Sequence, residues 1–396
     1  MKVIRNAKIL TPLYGFEGCA AVEDGKILGT ARSMDVPEGA EEIDARGLYL
    51  SPGLIDMHVH GGGGFGVMSC SADDIGKMCA AHARFGTTSI VPTTLAAPIP
   101  VLKKAVGAVR KAKESCTDCN ILGVHLEGPF LSKSQRGAQN EENILTASRE
   151  NYIDLLDSWD GIRVMGAAPE TDGALALGRE LRKRNILASV AHSDATYDQV
   201  IKAIESGYSD VTHIYSGCSS VVRVNGYRVP GVVEAGLLRD ELTVQVIADL
   251  KHLPPALLQL IYKCKGPDRI SLITDGLEYS AAELKEGTVY RQKNGVETVY
   301  EDGVMKLMDR KAFAGSVATS SRLVRNMARG AGVPLLDAVK MATMTPARLL
   351  GVSDKKGMIA EGFDADLILF DESVDVKFCM VGGRIVFDRL AKRTEV

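Results

Sequence analysis

The chain has no excess of charge of one sign and no long apolar run. It contains 47 Lys and Arg against 50 Asp and Glu, which gives a formal net charge of -3, and no basic block occurs. Nucleic acid is therefore not an expected partner, because its recognition needs clustered positive charge. The sequence also lacks a signal-peptide pattern and any stretch of about 18 uncharged apolar residues, so we expect a soluble, cytoplasmic protein with no membrane partner.

Cysteine is sparse for a chain of this length. Eight cysteines are spread over 396 residues, without the density of a disulfide scaffold, and we expect reduced thiols. Cys116 and Cys119 form one CxxC pair, but no second pair completes a zinc site. We interpret the pair as two thiols in a surface loop.

Short β-branched apolar segments alternate with longer segments of helical character. This alternation is typical of parallel strands joined by crossover helices. Ser71 with Asp74 indicates one helix start, and Asp194 and Gly207 are predicted to bound another helix. The predicted strands lie at 54–59, 88–94, 120–128, 162–170, 186–193, 210–216, 242–249 and 269–276. Eight such units over roughly 300 residues predict an α/β fold with a TIM (β/α)8 barrel, and a doubly wound open sheet is the alternative.

The two ends of the chain have a different pattern from the centre. Residues 1–52 and 356–396 show short strands and glycine-containing turns without crossover helices. We therefore predict that both termini form one small β-sandwich domain beside a barrel at 53–355. A hairpin insertion is predicted near 277–313, where Asn294-Gly295 is a turn signal.

Polar side chains gather where the predicted strands end, which is where a barrel builds its active site. They are His58 and His60 after the first strand, His125 and Glu127 at the third, His192 at the fifth, His213 at the sixth and Asp275 at the eighth. Five of the seven histidines of the chain belong to this set.

The HxH pair alone has two interpretations, as metal ligands or as two polar residues at a strand end. Side chains at i and i+2 share one face of a strand, so both rings can address one point. Because Glu127, His192 and His213 arrive at the same rim, we favour a metal site. Imidazole and carboxylate ligands suit zinc, iron, manganese or cobalt.

Such a site predicts hydrolysis. A divalent ion lowers the pKa of a bound water and polarises a carbonyl, while a neighbouring carboxylate moves the proton. Asp275 is the candidate for that carboxylate, and the alternative is a strand-end Asp that caps a turn. His125 is expected to be a buried hydrogen-bonded residue, His82 a structural one, and His252 a candidate substrate contact. The four glycines after His60 lack the Lys of a nucleotide P-loop and are expected to shape the mouth of the site.

Several motifs together resemble the amidohydrolase superfamily and, within it, the N-acetylglucosamine-6-phosphate deacetylase family. They are SPGLIDMHVHG, GVHLEGPF, VAHSDAT, VTHIY, LITDG, FAGS, TPARLLG and GFDADLILFD. The HLEGP segment is the most specific, because its Glu stands where many amidohydrolases place a carboxylated lysine.

The resemblance implies roles for the matching residues. Glu127, His192 and His213 correspond to the main metal ligands, and His58 and His60 would support a second ion bridged through Glu127. One or two divalent ions are thus implied, with zinc as the first choice. Asp275 corresponds to the catalytic acid and base, which would pass a proton to the departing amine.

The substrate-binding positions match the family less closely. Ala138 and Gln139 stand where the family has Thr-His, and Ser216 and Gly217 stand in place of Asn-Ala. Arg228 corresponds to an arginine that reaches the phosphate from the neighbouring subunit, which implies a homodimer. His252 corresponds to a second phosphate contact. The loop that closes over the sugar corresponds to Phe313, Ala314 and Gly315.

Three functions remain open on the sequence. The leading one is metal-dependent deacetylation of N-acetylglucosamine 6-phosphate. A second is the same reaction on another substrate, such as N-acetylgalactosamine 6-phosphate or a different N-acyl compound. The third is a binding protein with an amidohydrolase fold and no catalytic activity.

Overall fold

The computed structural model describes residues 1–291, 297–310, 313 and 315–390. Eight parallel strands form the centre of the molecule, and each lies within or beside a predicted strand segment. They are Leu54–Val59, Thr87–Thr94, Val124–Glu127, Ile162–Ala167, Leu187–Val190, Tyr208–Val211, Thr243–Val246 and Ile270–Leu272. We number them barrel strands one to eight.

Neighbouring barrel strands pair in parallel along the whole series, from strand one to strand eight. The ring closes between the last and first strands through a parallel bridge of Val59 with Gly276. There the amide of Asp275 donates to the carbonyl of His58 over 3.0 Å, and the amide of His60 donates to that of Gly276 over 2.8 Å. The predicted barrel is confirmed.

Helices connect the strands and cover the barrel. They are α1 (Ala72–Ala83), α2 (Ile99–Ser115), α3 (Arg149–Leu156), α4 (Ala174–Lys183), α5 (Tyr197–Glu205), α6 (Val232–Leu238), α7 (Pro255–Lys265), α8 (Ser320–Arg325), α9 (Leu335–Met341) and α10 (Met344–Leu349). Short 3-10 turns occupy Val67–Ser69, Lys133–Gln135, Glu141–Asn143 and Pro267–Arg269, and a π turn, Asn326–Gly330, follows α8. Within the described chain, no helix has the length and apolar character needed to cross a bilayer.

Helix caps agree with the sequence in one case and differ in another. The hydroxyl of Ser71 accepts from the amide of Asp74 and caps α1, as predicted. Helix α5 instead begins after Thr196, whose side chain forms a capping box with Gln199. The prediction that Asp194 opens this helix is wrong, because its carboxylate accepts hydrogen bonds from the side chains of Ser134 and Gln135.

Strands from both termini form one sheet, which we call the terminal sheet. Its order is Arg384–Asp388, Val376–Val381, Leu367–Phe370, Tyr49–Pro52, Lys2–Leu10, Gly15–Glu23 and Lys26–Ala31, with Glu41–Asp44 also paired to Lys2–Leu10. A separate apolar core, which includes Ile4, Leu50, Leu369 and Phe378, stabilises this sheet. It is the β-sandwich predicted from the two ends of the chain.

Smaller strands lie in three connections. Gly61–Gly62 pairs with Phe65–Gly66 in the glycine loop, Val222–Val224 pairs with Tyr227–Val229, and Asn120–Ile121 extends the sheet of the barrel beside strand two. After strand eight, Val289–Arg291, Glu297–Glu301 and Val304–Leu307 form an antiparallel sheet of three strands. The predicted turn at Asn294-Gly295 lies outside the described residues.

The interpretation of Cys116 and Cys119 as two thiols in a surface loop is wrong. Cys119 is only 1% exposed and Cys116 is half-buried. Cys119 belongs to the buried apolar core of the barrel, and Cys116 packs against that core. The error arose because the groups that bury the pair lie far away in the sequence, such as Thr87, whose carbonyl accepts from the thiol of Cys119 over 3.4 Å.

Candidate metal centre

Six polar side chains from five barrel strands meet at the carboxyl end of the barrel. His58 and Glu127 are the last inward-facing residues of strands one and three, and His60 follows strand one by a single residue. His192, His213 and Asp275 follow strands five, six and eight by two or three residues. The structure therefore brings together every residue that the sequence assigned to metal binding and proton transfer.

Glu127 lies at the centre of the group and is 2% exposed. Its Oε1 is 2.9 Å from Nε2 of His213 and 3.2 Å from Nε2 of His192. Nε2 of His58 lies 3.5 Å from the same oxygen, and Nε2 of His60 lies 3.4 Å from Oε2. One carboxylate thus contacts all four imidazoles.

Asp275 closes the group on the side of the HxH pair. Its Oδ1 lies 3.1 Å from Nε2 of His60 and 3.3 Å from Nε2 of His58. The side chain is 20% exposed, whereas that of Glu127 is almost fully covered. Asp275 can therefore be reached from the mouth of the barrel, as a group that exchanges protons with a substrate must be.

The opposite ring nitrogen of each candidate ligand is held by a second group. Nδ1 of His60 contacts the Thr93 carbonyl at 3.2 Å, and Nδ1 of His58 contacts Oε1 of Gln245 at 3.0 Å. The carbonyl of Gln135 lies 2.8 Å from Nδ1 of His192, and the carbonyl of Ser216 lies 2.9 Å from Nδ1 of His213. Because carbonyl oxygens only accept, each Nδ1 carries a hydrogen, and each Nε2 faces the carboxylates, where it donates when the ring is protonated and can bind a metal when it is not.

The contact to His58 continues into a buried polar network. The amide nitrogen of Gln245 donates to Oδ2 of Asp210 over 2.7 Å, which orients the amide oxygen towards His58. Ser189 and Thr243 also donate to Asp210, at 2.7 and 2.6 Å. A chain of hydrogen bonds across strands five, six and seven thus fixes one ligand of strand one.

Three residues of the centre have left-handed backbone conformations. The φ angles are 45° at His192, 29° at His213 and 47° at Asp275. Such conformations cost roughly 1–3 kcal/mol each for residues other than glycine and are typical of functional sites. The rings of His192 and His213 thus face Glu127, and the carboxylate of Asp275 faces His58 and His60.

Both acids at the centre are ionised at neutral pH. Burial by itself would raise the pKa of Asp275, but the imidazoles of His58 and His60 outweigh burial and lower it to about 2. The pKa of Glu127 also lies well below its usual value, because contacts with the surrounding histidines outweigh the burial of its carboxyl. Burial alone would lower the pKa of His60, but hydrogen bonds to Asp275 and Glu127 raise it to about 10. The charged imidazole of His60 therefore faces the two carboxylates, and a bound cation would take over its role in balancing their negative charge.

The donor atoms fit divalent metal ions. Two groups have their ligand atoms within 4.8 Å of one another, His58 with His60 and Glu127, and Glu127 with His192 and His213. Glu127 belongs to both. The set contains imidazole nitrogens and carboxylate oxygens, with every Nδ1 engaged elsewhere, which suits zinc and related ions. The arrangement has room for one ion or for two that share Glu127.

Gln139 contacts the carboxylate of Glu127, the candidate metal ligand. Its Nε2 donates to Oε2 of Glu127 over 2.7 Å, and its Oε1 accepts from the amide of Ala96 over 2.9 Å. The sequence assigned Gln139 to substrate binding, but both ends of its amide are engaged and position Glu127. Ala138 is exposed beside it.

Ser216 and Gly217 also support the centre. The carbonyl of Ser216 orients His213, as described above. Gly217 has a φ of 55°, and a Cβ at this position would come within 2.7 Å of Nδ1 of His192. Glycine is thus required here for the close approach of the backbone to the ring.

The other predicted substrate residues lie on two further segments. His252 contacts Oδ2 of Asp249 through Nδ1 at 2.7 Å, and its ring packs edge-on against Phe313 at 5.0 Å between centroids. Gly315 has a φ of 104° and approaches Leu277. Ala314 lies outside the described residues. Arg228 is exposed on the strand Tyr227–Val229.

The supporting groups around the ligands were missed from the sequence. Thr93, Gln135 and Ser216 act through backbone carbonyls, which any residue type supplies. Asp210 and Gln245 had a signal, as polar residues within otherwise apolar strands. Asp249 had the same signal as Asp275, because it also follows a barrel strand.

The arrangement agrees with comparisons to known proteins. The sequence profile of the Amidohydrolase family matches residues 49–386. The chain belongs to the amidohydrolase family. It is 32% identical to N-acetylglucosamine-6-phosphate deacetylase of Vibrio furnissii, over 94% of this chain and 91% of that protein. It is 33% identical to N-acetylgalactosamine-6-phosphate deacetylase of Escherichia coli O157:H7, over 92% of this chain and 93% of that one.

A solved structure extends the similarity to three dimensions. N-acetylglucosamine-6-phosphate deacetylase from Pasteurella multocida aligns with a TM-score of 0.89 at 29% identity and covers 97% of this chain and 99% of that one. The resemblance stated from the motifs, to amidohydrolases of the deacetylase type, is confirmed.

Proposed function

We propose that this chain hydrolyses the N-acetyl group of N-acetylglucosamine 6-phosphate to give glucosamine 6-phosphate and acetate. The observation that carries the proposal is the convergence of four imidazoles and Asp275 on Glu127 in the mouth of the barrel. The relatives that share this fold over nearly their whole length bear the names of amino sugar phosphate deacetylases.

Glu127, His192 and His213 would hold one divalent ion, and His58 and His60 would hold a second together with Glu127. An ion bound there lowers the pKa of a water and polarises the amide carbonyl. We propose zinc, and iron, manganese and cobalt suit the same donors.

Asp275 moves the proton in the proposed reaction. Its carboxylate is ionised at neutral pH, so it can accept a proton from the attacking water. The same oxygen then gives that proton to the amide nitrogen as the carbon–nitrogen bond breaks, and the sugar leaves as an amine. The partial exposure of Asp275 supports this role, because the substrate amide must reach it.

We propose that His252 and Arg228 bind the phosphate, and that Arg228 does so in the neighbouring subunit of a homodimer. The hairpin that carries Arg228 also exposes Val222 by 54% and Tyr227 by 78%. Exposed apolar side chains around a charged one are typical of a surface that a partner covers. The planar guanidinium suits a phosphate.

The domain division and the location are also proposals. Residues 1–52 and 356–396 would form one domain beside a catalytic domain at 53–355, and the separate core of the terminal sheet supports this division. The cysteines are all free thiols, which supports a reducing compartment, and we propose the cytoplasm.

Amine release by the metal-loaded protein tests the function directly. The substrates are N-acetylglucosamine 6-phosphate, its galacto epimer and both unphosphorylated sugars. We expect the highest kcat/KM for N-acetylglucosamine 6-phosphate and at least tenfold lower values without the phosphate, since charged hydrogen bonds to it contribute about 1.5–3 kcal/mol. A higher kcat/KM for the galacto epimer would show that this sugar phosphate, and not N-acetylglucosamine 6-phosphate, is the substrate. Two relatives are named as deacetylases of that epimer. No amine from any of the four would contradict the proposed function.

A further inference from the structure

One carboxylate at the mouth of the barrel has no part in the reaction proposed above. Glu170 follows barrel strand four by three residues, at the same end of the barrel as the metal centre. It lies outside the two groups of candidate ligands that the described residues form. Its two oxygens instead accept hydrogen bonds from the segment that follows His192. Glu170 is therefore placed to act on a candidate ligand without contacting the ion.

Glu170 holds the two residues that come directly after His192. Its Oε2 accepts from the hydroxyl of Ser193 over 2.7 Å, and its Oε1 accepts from the amide of Asp194 over 2.6 Å. Hydrogen bonds to an ionised acceptor are stronger than those between neutral groups. One carboxylate thus fixes both a side chain and the backbone of this turn.

The turn at His192 needs support because its backbone is in an unfavourable conformation. The φ angle of His192 is 45°, and residues other than glycine adopt such a conformation only where the surroundings hold it. On the side of strand six, the amide of Ser193 donates to the carbonyl of Gly217 over 2.9 Å. On the side of strand four, Glu170 supplies the matching contacts. The turn is therefore held from both neighbouring strands.

A second set of contacts runs from the same turn to the ring of His192. The carboxylate of Asp194 accepts from the side chain of Gln135 over 2.9 Å, and the carbonyl of Gln135 accepts from Nδ1 of His192 over 2.8 Å. Because Glu170 fixes the amide of Asp194, it also fixes the start of this chain of contacts. Glu170 thus acts on His192 through the backbone and through the partner of its ring.

We propose that Glu170 is a positioning residue for His192 and thereby strengthens the binding of a divalent ion at this ligand. The proposal rests on the metal-dependent function proposed above. Nε2 of His192 lies 3.2 Å from Oε1 of Glu127, so a small rotation of the turn would move the ring away from the other ligands. Groups that orient a metal-binding imidazole contribute to affinity without contacting the ion.

Chelator competition for Zn²⁺ on the full-length protein tests the proposal. Glu170→Ala removes both hydrogen bonds, and we expect metal affinity to fall by about tenfold, at the lower end of what is typical for groups that orient a ligand. Glu170→Gln keeps an acceptor for the amide of Asp194 and a donor for the oxygen of Ser193, so its affinity should stay close to that of the wild type. Equal losses in both variants would overturn the proposal, because charge and not positioning would then be responsible.

Thermal unfolding separates the positioning of a ligand from simple support of the fold. The Tm values of the wild type and Glu170→Ala are measured without metal and at one fixed concentration of free Zn²⁺. We expect Zn²⁺ to raise Tm less in the variant, because stabilisation by a bound ion depends on its Kd. The same rise of Tm in both proteins would show that Glu170 supports only the fold, and would overturn the proposal.

Asp371→Ala is the matched control for these measurements. The carboxylate of Asp371 accepts from the amide and the hydroxyl of Ser373, at 2.9 and 2.6 Å, in a turn of the terminal sheet. The variant therefore removes the same kinds of contact away from the metal centre, and it should leave metal affinity unchanged. A tenfold loss in this variant as well would overturn the proposal.

The wild type distinguishes a failure of this proposal from a failure of the proposed function. A wild type that binds no divalent ion would contradict the metal-dependent function and this proposal with it. A wild type that binds Zn²⁺ no more tightly than Glu170→Ala would overturn only the role of Glu170. Should Glu170→Ala not fold, Ser193→Ala decides the result, because it removes one of the two contacts. A smaller loss of affinity is expected there, and an unchanged affinity would overturn the proposal.

Discussion

The chemistry of the proposed reaction depends on one acid that does not have to bind metal. Glu127 contacts all four imidazoles, whereas Asp275 contacts only His58 and His60 and remains open to the mouth. This difference separates proton transfer from metal binding at the level of single residues. A variant of Asp275 should therefore impair turnover, whereas a variant that disturbs the candidate metal ligands should impair metal binding.

Asp275→Asn should remove proton transfer and retain the metal. The amide has nearly the same shape but cannot accept the proton of the attacking water, so we expect kcat to fall by about 10²–10⁴-fold. Steady-state amine release and metal analysis of the same sample measure the two effects. Retained turnover in this variant would exclude Asp275 as the proton carrier.

Gly217→Ala should weaken the metal site through His192. The new Cβ would lie 2.7 Å from Nδ1 of His192 and 3.0 Å from the carbonyl of Gln135, and these two atoms hydrogen-bond to each other. We expect metal affinity to fall by about 10–100-fold, as is typical when a group that orients a ligand is disturbed. Competition with a chelator measures the change.

Gly39→Ala is the matched control for this variant. Gly39 also has a positive φ, of 80°, but a Cβ there would meet nothing within 4 Å. The same backbone strain is thus introduced away from the metal. Equal losses of metal affinity in both variants would show that strain, and not the clash with His192, is responsible.

At the level of elements, the hairpin Val222–Val224 with Tyr227–Val229 carries Arg228, for which we propose a phosphate contact. Arg223 and Arg228 occupy opposite positions on its two strands. Arg228→Ala should raise KM for phosphorylated substrates by about 10-fold or more, because a charged hydrogen bond contributes about 1.5–3 kcal/mol. Arg223→Ala removes the same charge from the same hairpin and should change KM less. An equal rise of KM for the unphosphorylated sugar would rule out a phosphate contact.

A second element-level feature joins the barrel to the terminal sheet. Nζ of Lys356 lies 2.5 Å from Oδ2 of Asp366 and 2.9 Å from Oδ2 of Asp364, and its side chain is 6% exposed. Asp366 also accepts from the side chain of Asn120, beside barrel strand two, over 3.0 Å. This buried ion group links the two parts of the chain.

Lys356→Met should lower the free energy of unfolding by about 3 kcal/mol, because it leaves the buried carboxylate of Asp366 without its cation, while Asp364 keeps Lys26. Burial would lower the pKa of Lys356, but Asp366 and Asp364 raise it above 10.5. The stabilisation is thus complete below pH 10.5 and is lost as the pH rises through the raised value. Denaturant unfolding of the wild type and Lys356→Met at neutral and strongly alkaline pH measures this contribution, and Lys355→Met, at an exposed position, is the control. If the two proteins differed in free energy of unfolding by the same amount at both pH values, the account would be contradicted.

For the whole molecule, the sequence predicted the barrel and the residues at its carboxyl end, because strand periodicity and strand-end polar residues are local signals. It did not predict the left-handed conformations of His192, His213 and Asp275, which depend on how the ring of strands closes. It also missed the burial of Cys119 and the use of Gln139 to hold Glu127. These features arise from packing between segments that are distant in the chain, and no local pattern encodes them.

Metal binding couples the centre to the stability of the whole chain. Its candidate ligands come from four barrel strands, so an ion that binds only the folded state stabilises the entire barrel. The gain is about 4 kcal/mol when free metal exceeds the Kd by about a thousandfold. Removal of the metal should therefore lower Tm together with activity.

The most direct test of the account is a parallel titration of bound metal and turnover. The protein is stripped with a chelator, dialysed and supplied with Zn²⁺ in steps, while bound metal, amine release from N-acetylglucosamine 6-phosphate and Tm are measured on each sample. The account predicts no turnover without metal, and turnover and Tm that rise with bound metal until one or two ions are held per chain. Full turnover in the metal-free protein, or a protein that binds no divalent ion, would contradict it.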